Sequence, residues 1–283
     1  MIDETVREIE ELQTQSSSVV AVKAARALGD LFDRDHPTVD EFLIDLERSS
    51  AALRRANHSH APLYTSQDRI VSAVTDPEPE TVAEGQERLE DAIEAVVSDI
   101  ESSKDTAAER AATLIDDGDT VLTHANSSTV MATFDHALAA GTTFSVYATE
   151  SRPRLLGRRT VRQLAEREGC EATLIVDSAA GHLLADCDRV FVGMNCLVGD
   201  VVYNRIGTYQ IVAAAAARDV PVSVVAASAK FVGGGFEFEN TERPHPEVIR
   251  EPADGFAVAN PGYDATPTEF LESIVTENGV MEF

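Results

Sequence analysis

Small polar clusters recur in this chain directly after short β-branched runs: Asn126-Ser127-Ser128, Glu150-Ser151-Arg152, Asp177-Ser178, Asn195 and Asn204-Arg205. Hydroxyls, amides and two guanidiniums are the donors that hold phosphate oxygens. Where a cluster also opens a helix, unpaired backbone N–H groups add to the attraction for anions. Each cluster has a plainer role as well. Ser127 or Ser128 can serve as a helix N-cap alone, and Arg152 can pair internally with Glu150 or Asp177. Gathered on one sheet edge, however, Asn126, Ser127, Ser128, Arg152, Asp177, Asn195, Asn204 and Arg205 read as a pocket for a phosphorylated small molecule, a sugar phosphate or a nucleotide. No G-x-G-x-x-G, P-loop, nucleophile elbow or H-E-x-x-H pattern accompanies them. Neither a cofactor nor a metal is expected. His58 and His60, two residues apart, do not share a helix face and have no further ligand nearby.

The elements that position these clusters follow from the hydrophobic pattern. Residues 190–208 are the most informative: a buried strand stops at Gly193, a second apolar run reaches Asn204-Arg205, and Gly207-Thr208 opens an alanine-rich helix. Strands are also expected at 120–124, 143–148, 172–176 and 222–226, with helices between them, so the crossovers build a mostly parallel sheet. Ahead of these lie helical patterns at 3–15, 19–32, 38–53 and 81–115, with residues 54–62 read as a loop or broken helix. The turn Asp116-Asp117-Gly118-Asp119 is the expected boundary. The fold class is therefore α/β: a helical N-terminal domain, 1–115, followed by a Rossmann-like, doubly wound domain, 116–283. Beyond Gly233-Gly234-Gly235 the proline-rich tail is expected to run extended, with a short helix near 268–275. Phe231 to Phe236 is either a subunit contact or a covered loop.

Charge and cysteine usage narrow the partners. The 23 basic and 49 acidic residues leave a net charge of −26, and lysine occurs only at positions 23, 104 and 230. So acidic a surface repels nucleic acid and anionic membranes, and its even spread reads as adaptation to high internal salt. Three cysteines without C-x-x-C spacing fit a reducing compartment. No apolar run approaches the roughly 20 residues of a membrane span, and Met1-Ile2-Asp3-Glu4-Thr5 lacks a signal peptide's basic region. A cytoplasmic location is expected.

Glu150-Ser151-Arg152-Pro153, Asp177-Ser178-Ala179 with Gly181, and Asn204-Arg205-Ile206-Gly207-Thr208-Tyr209 stand in the order found in one family. Over roughly residues 115–240 the chain resembles the α, β and δ regulatory subunits of translation initiation factor 2B. It is equally similar to their relatives, the ribose-1,5-bisphosphate and methylthioribose-1-phosphate isomerases. The resemblance implies that the isomerases shuttle protons with a cysteine after the first strand of the second domain and an aspartate in Gly-Ala-Asp. Here those positions hold Ala125 and Asn195, the latter in Gly193-Met194-Asn195. Neither side chain titrates near pH 7, and losing one such proton transfer typically costs ~10²–10⁴ in rate. The family's Arg-Gly is missing near 16–19, and Asn57-His58-Ser59 replaces its Arg-Pro-Thr. Cys196 and His124 neighbour the altered positions, but adjacent strand residues face opposite ways unless the backbone bends.

These readings lead to an expected non-catalytic regulatory member that keeps the pocket and has no catalytic residue. The alternatives are an aldose–ketose isomerase with a rebuilt site, or a structural subunit that pairs with an active paralogue. By resemblance, self-association into a dimer or higher even-numbered assembly is expected through the second domain.

Overall fold

A computed structural model describes residues 2–11, 17–57, 60–233, 236, 238–240, 242–251 and 253–283. Ser16, His58, Ser59, Gly234 and Gly235 lie outside them. So do, in part, the expectations for the Ser16 region, the His58–His60 pair, Asn57-His58-Ser59 and Phe231 to Phe236.

The helical part contains α1 (Ile2–Glu11), α2 (Ser17–Ala27), α3 (Val39–Arg55), α4 (Ala61–Thr75) and the start of α5 (Val82–Ala112). Thr38 caps α3 by accepting from the Glu41 N–H at 3.3 Å, with Asp40 and Glu41 in the first turn and Arg54 and Arg55 in the last. Phe42, Leu46, Leu53, Leu63, Ile70 and Leu89 recur at helical spacing and are wholly buried in one core. The loop or broken helix expected across 54–62 stands where α3 ends at Arg55 and α4 begins at Ala61. Proline lacks only an N–H that the first helical turn leaves unpaired anyway, so Pro62 starts a helix here rather than breaking one.

The second part holds β1 (Thr120–Thr123), α6 (Ser128–Ala139), β2 (Phe144–Thr149), α7 (Gly157–Leu164), β3 (Cys170–Ile175) and α8 (Ala180–Leu183). It continues with β4 (Arg189–Val192), β5 (Cys196–Val198), β6 (Val201–Arg205), α9 (Thr208–Ala216) and β7 (Val222–Val225). After the short β8 (Phe231–Val232) come β9 (Tyr263–Pro267), β10 (Ser273–Thr276) and β11 (Gly279–Glu282). The main sheet has the order β11-β10-β7-β4-β1-β2-β3, and every neighbouring pair is parallel except β10 with β11. Strands β7 and β10 are buried throughout, as strands covered on both faces must be. Beside this sheet, β6 pairs antiparallel with both β5 and β9.

The α-helix expected at 268–275 is absent; a single 3₁₀ turn at Thr268–Phe270 stands at its start. Ser273-Ile274-Val275-Thr276 is a β-branched run, and Asn278-Gly279 is a hairpin signal, so the chain turns back as β10 and β11.

By compactness the chain divides into Met1–Ser102 with Ala229–Phe238, and Ser103–Ser228 with Glu239–Phe283. The division falls inside α5, and the Asp116–Asp119 turn leads directly into β1. Among the described residues no helix is long and apolar enough to cross a membrane.

Candidate functional site

The carboxyl ends of β1, β2 and β4 meet around a buried histidine. His124, just after β1, is 1% exposed. Its Nδ1 lies 2.6 Å from Thr149 Oγ1, and its Nε2 lies 2.9 Å from the Ile206 carbonyl oxygen. A carbonyl only accepts, so Nε2 carries the proton and Nδ1 accepts from the threonine hydroxyl. Burial pulls the His124 pKa below its ordinary value; the Ile206 carbonyl and the carboxylates of Asp177 and Asp264 oppose this without overcoming it. The ring is therefore neutral at pH 7. Ser151 Oγ stands 3.3 Å from the same Nδ1 and accepts the Ala125 N–H at 2.8 Å.

The backbone bends at the position after the histidine. Ala125 has φ +62°, a left-handed conformation costing about 1–2 kcal/mol for a residue with a Cβ. Two glycines permit the close approach of the neighbouring loops. A Cβ on Gly207 would sit 2.8 Å from His124 Cε1, and one on Gly193 would sit 2.5 Å from Ser127 Oγ. Either contact is impossible without displacing the loop.

The expected pocket residues divide into two groups. Asn126 Nδ2 donates to Thr160 Oγ1 and Gln163 Oε1 on α7, at 2.9 and 3.0 Å. Ser127 caps α6 by accepting the Val130 N–H at 3.3 Å, and Ser128 is the half-buried first residue of that helix. Asp177 accepts the backbone N–H groups of Ser151 and Arg152, both at 2.7 Å, and so holds their loop. Asn204 donates to Thr208 Oγ1 at 3.0 Å, and Asn195 is a buried residue whose backbone N–H bonds the Tyr203 carbonyl. Only Arg152 and Arg205 of the set line the crevice that opens at this edge.

Ser151, Arg154, Ile206, Arg243 and Gly262 line that crevice with them. Sequence reasoning misses Arg154 and Arg243. Arg154 has a signal, two positions beyond Arg152, whereas Arg243 sits in the tail with no spacing that ties it to a strand end. Arg205 stacks over the Tyr263 ring at 5.0 Å and Arg243 over the same ring at 5.7 Å. Burial and the guanidinium of Arg243 depress the pKa of both Arg154 and Arg205, while the Glu247 carboxylate raises both. In a chain of net charge −26, four guanidiniums gather along one crevice.

The helix starts expected to bind the anion are filled from within. Asp264 accepts the N–H groups of Gly207 and Tyr209 at the start of α9, at 2.6 and 3.0 Å, and Ser127 caps α6.

Sulfur chemistry finds no support. Cys196 is wholly buried in β5, and burial pushes the thiols of Cys170 and Cys187 up to about 11. Among the described residues no group of three or more histidine, cysteine or carboxylate side chains could hold a metal ion.

Residues 13–283 match the initiation factor 2 subunit family. A ribose 1,5-bisphosphate isomerase of Haloterrigena turkmenica is 30% identical over 97% of this chain and 88% of its own. A putative methylthioribose-1-phosphate isomerase of Archaeoglobus fulgidus is 31% identical over 92% of this chain and 82% of its own. Among solved structures, translation initiation factor eIF-2B of Pyrococcus horikoshii superposes with a TM-score of 0.84, at 26% identity, covering 99% of this chain and 96% of that one. The isomerase names of these near full-length relatives overturn the expectation of a non-catalytic regulatory member.

Proposed function

The chain belongs to the initiation factor 2 subunit family, and from that premise we propose that it is a sugar-phosphate isomerase interconverting a phosphorylated aldose and ketose. The observation that carries this reading is the arginine-lined crevice with Ser151 on its wall and neutral His124 behind it. Ribose 1,5-bisphosphate is the first substrate to try, by similarity to the relatives that carry its name.

Conversion of a ring aldose phosphorylated at C1 to its ketose moves the C2 proton to C1 and the C2 hydroxyl proton to the ring oxygen that leaves C1, with no net oxidation. Arg152 and Arg205 hold the phosphate through charge-assisted hydrogen bonds and fix the sugar against the wall. Ser151 Oγ takes the C2 proton while passing its own to His124 Nδ1, from which the Thr149 hydroxyl first turns away, and the reverse transfer delivers that proton to C1. His124 suits this task because it is uncharged at the start, its Nε2–H is anchored on Ile206, and Asp177 and Asp264 favour the transient imidazolium. Ala125 and Asn195 then contribute shape and backbone geometry rather than protons. On the same reading the protein acts in the cytoplasm and associates into an even-numbered oligomer through its second unit.

The test is turnover of ribose 1,5-bisphosphate by the purified chain in concentrated salt and deuterated water. Ketose formation with deuterium incorporated next to the carbonyl is expected. Absence of both product and exchange, for this substrate and for methylthioribose 1-phosphate, would sink the reading.

A further inference from the structure

Glu247 is a carboxylate whose pairing turns toward the four guanidiniums. Several others nearby are engaged elsewhere: Glu150 with Arg158, Asp177 with two backbone N–H groups, Asp264 with the start of α9, and Glu242 with the Asn260 N–H. Glu247 Oε1 lies 3.4 Å from Arg154 Nε, and its Oε2 accepts from Asn260 Nδ2 at 3.3 Å. Both contacts are long beside the roughly 2.7–2.9 Å of a charge-assisted hydrogen bond. The two ionic side chains are nonetheless largely sheltered, at 17% and 23% exposure, so the pair is loose without being solvent-screened.

The tail segment that carries Glu247 is fixed at its base. The Arg243 N–H bonds the Asn260 carbonyl at 2.9 Å, and Asn260 Nδ2 bonds the Pro244 carbonyl at 3.1 Å. Its outer part meets the loop after β2 through Arg154 on Glu247 and through Arg152 Nη2 on the Val248 carbonyl at 3.3 Å. Both contacts use guanidiniums that line the crevice. A phosphate dianion offers three acceptor oxygens where the contacts with Glu247 and the Val248 carbonyl are long, and a guanidinium fork matches it in two parallel bonds.

We propose that Glu247 is an internal competitor for the phosphate subsite: an entering phosphate dianion takes Arg154 from Glu247 and Arg152 from the Val248 carbonyl, and so releases residues 242–248 from the loop after β2. This builds on the isomerase reading for the natural ligand. It also assigns two residues, Arg154 and Glu247, that this reading does not require, and makes the tail a phosphate-responsive flap.

The experiment titrates inorganic phosphate into the full chain at constant ionic strength by calorimetry, and follows amide hydrogen exchange in peptides covering residues 242–248. Glu247→Gln should bind phosphate about fivefold more tightly, since a sheltered competing charge is removed while the side chain's shape stays. Arg154→Gln should bind it about tenfold more weakly, and adding Glu247→Gln to that background should restore nothing. Phosphate should speed exchange at 242–248 in the unaltered chain. Unchanged or weaker binding by Glu247→Gln, or exchange that slows with phosphate, overturns the proposal. Glu247→Asp, whose shorter arm cannot reach Arg154, should likewise bind phosphate more tightly and replaces the glutamine variant should that one fold poorly. Turnover plays no part in these measurements, so loss of the isomerase assignment and loss of this one are separable.

Discussion

The loop after β1 and the loop after β2 begin with similar residues and end with different employment. Asn126, Ser127 and Ser128 are short side chains, and the bonds of Asn126 and Ser127 go to α7 and to the first turn of α6. Ser151, Arg152 and Arg154 follow a strand of six residues rather than four, and all three line the crevice. For the two arginines reach makes the difference, whereas Ser151 lines the crevice while also bonding the Ala125 backbone N–H. An amide or hydroxyl close to the backbone finds a backbone or helix partner first, whereas a guanidinium several bonds away projects past that layer. Polar residues at strand ends therefore belong to two classes, those that hold the edge together and those that use it.

Substitutions that separate these classes break or sharpen the comparison. The largest effect is expected at Ser151→Ala, where kcat should fall ~10²–10⁴ with phosphate binding retained; steady-state kinetics beside the phosphate titration checks both. Arg205→Ala should raise KM by about 10- to 100-fold, in line with about 1.5–3 kcal/mol for hydrogen bonds to charged groups. If Arg205→Ala lowers the melting temperature instead, it belongs with the holders. Gly193→Ala should cost about 1–3 kcal/mol in denaturant unfolding through its clash with Ser127, and Ser127→Gly in the same chain should recover most of it. Asn126→Ala should cost about 1 kcal/mol and leave KM unmoved; a raised KM would move Asn126 to the users.

A smaller, pH-dependent effect isolates His124. Its folded pKa lies below the unfolded value, so the unfolded chain binds the extra proton. The contribution is complete above about pH 6.5 and drains away as the pH falls below it. The melting temperature of the unaltered chain should therefore drop more steeply from pH 7 to pH 5 than that of His124→Gln. Parallel slopes would remove the neutral-histidine assignment.

Most of the second unit is legible in the sequence because strands buried on both faces announce themselves. Val190-Phe191-Val192 ending at Gly193 could be little else, and the Asn204 to Tyr209 stretch marks the start of α9. The C-terminal hairpin is harder to see, because the tail's prolines mask the turn signal of Asn278-Gly279. Helix α4 is hidden by Pro62, which is compatible with a helix start as well as with a break. The edge as a location can be inferred from strand ends, but the assignment of roles cannot. Whether Asn126 turns to a ligand or to Thr160 depends on a residue 34 positions away. Arg154 and Glu247 are separated by everything from α7 to β8, and no local pattern encodes their meeting. The altered family positions Ala125 and Asn195 are visible in the sequence, while the Ser151–His124 contact is not.

Residues 229–238 are grouped with the helical unit, although the chain on either side belongs to the sheet. One consequence lies outside chemistry: neither unit is an uninterrupted stretch of polypeptide. A fragment ending at Ser102 would forfeit the Ala229 carbonyl that receives the Thr65 hydroxyl at 3.0 Å. Grafting the helical half of one relative onto another by a single splice would likewise leave that inserted patch behind, so exchanges between family members need a junction at each of its ends as well.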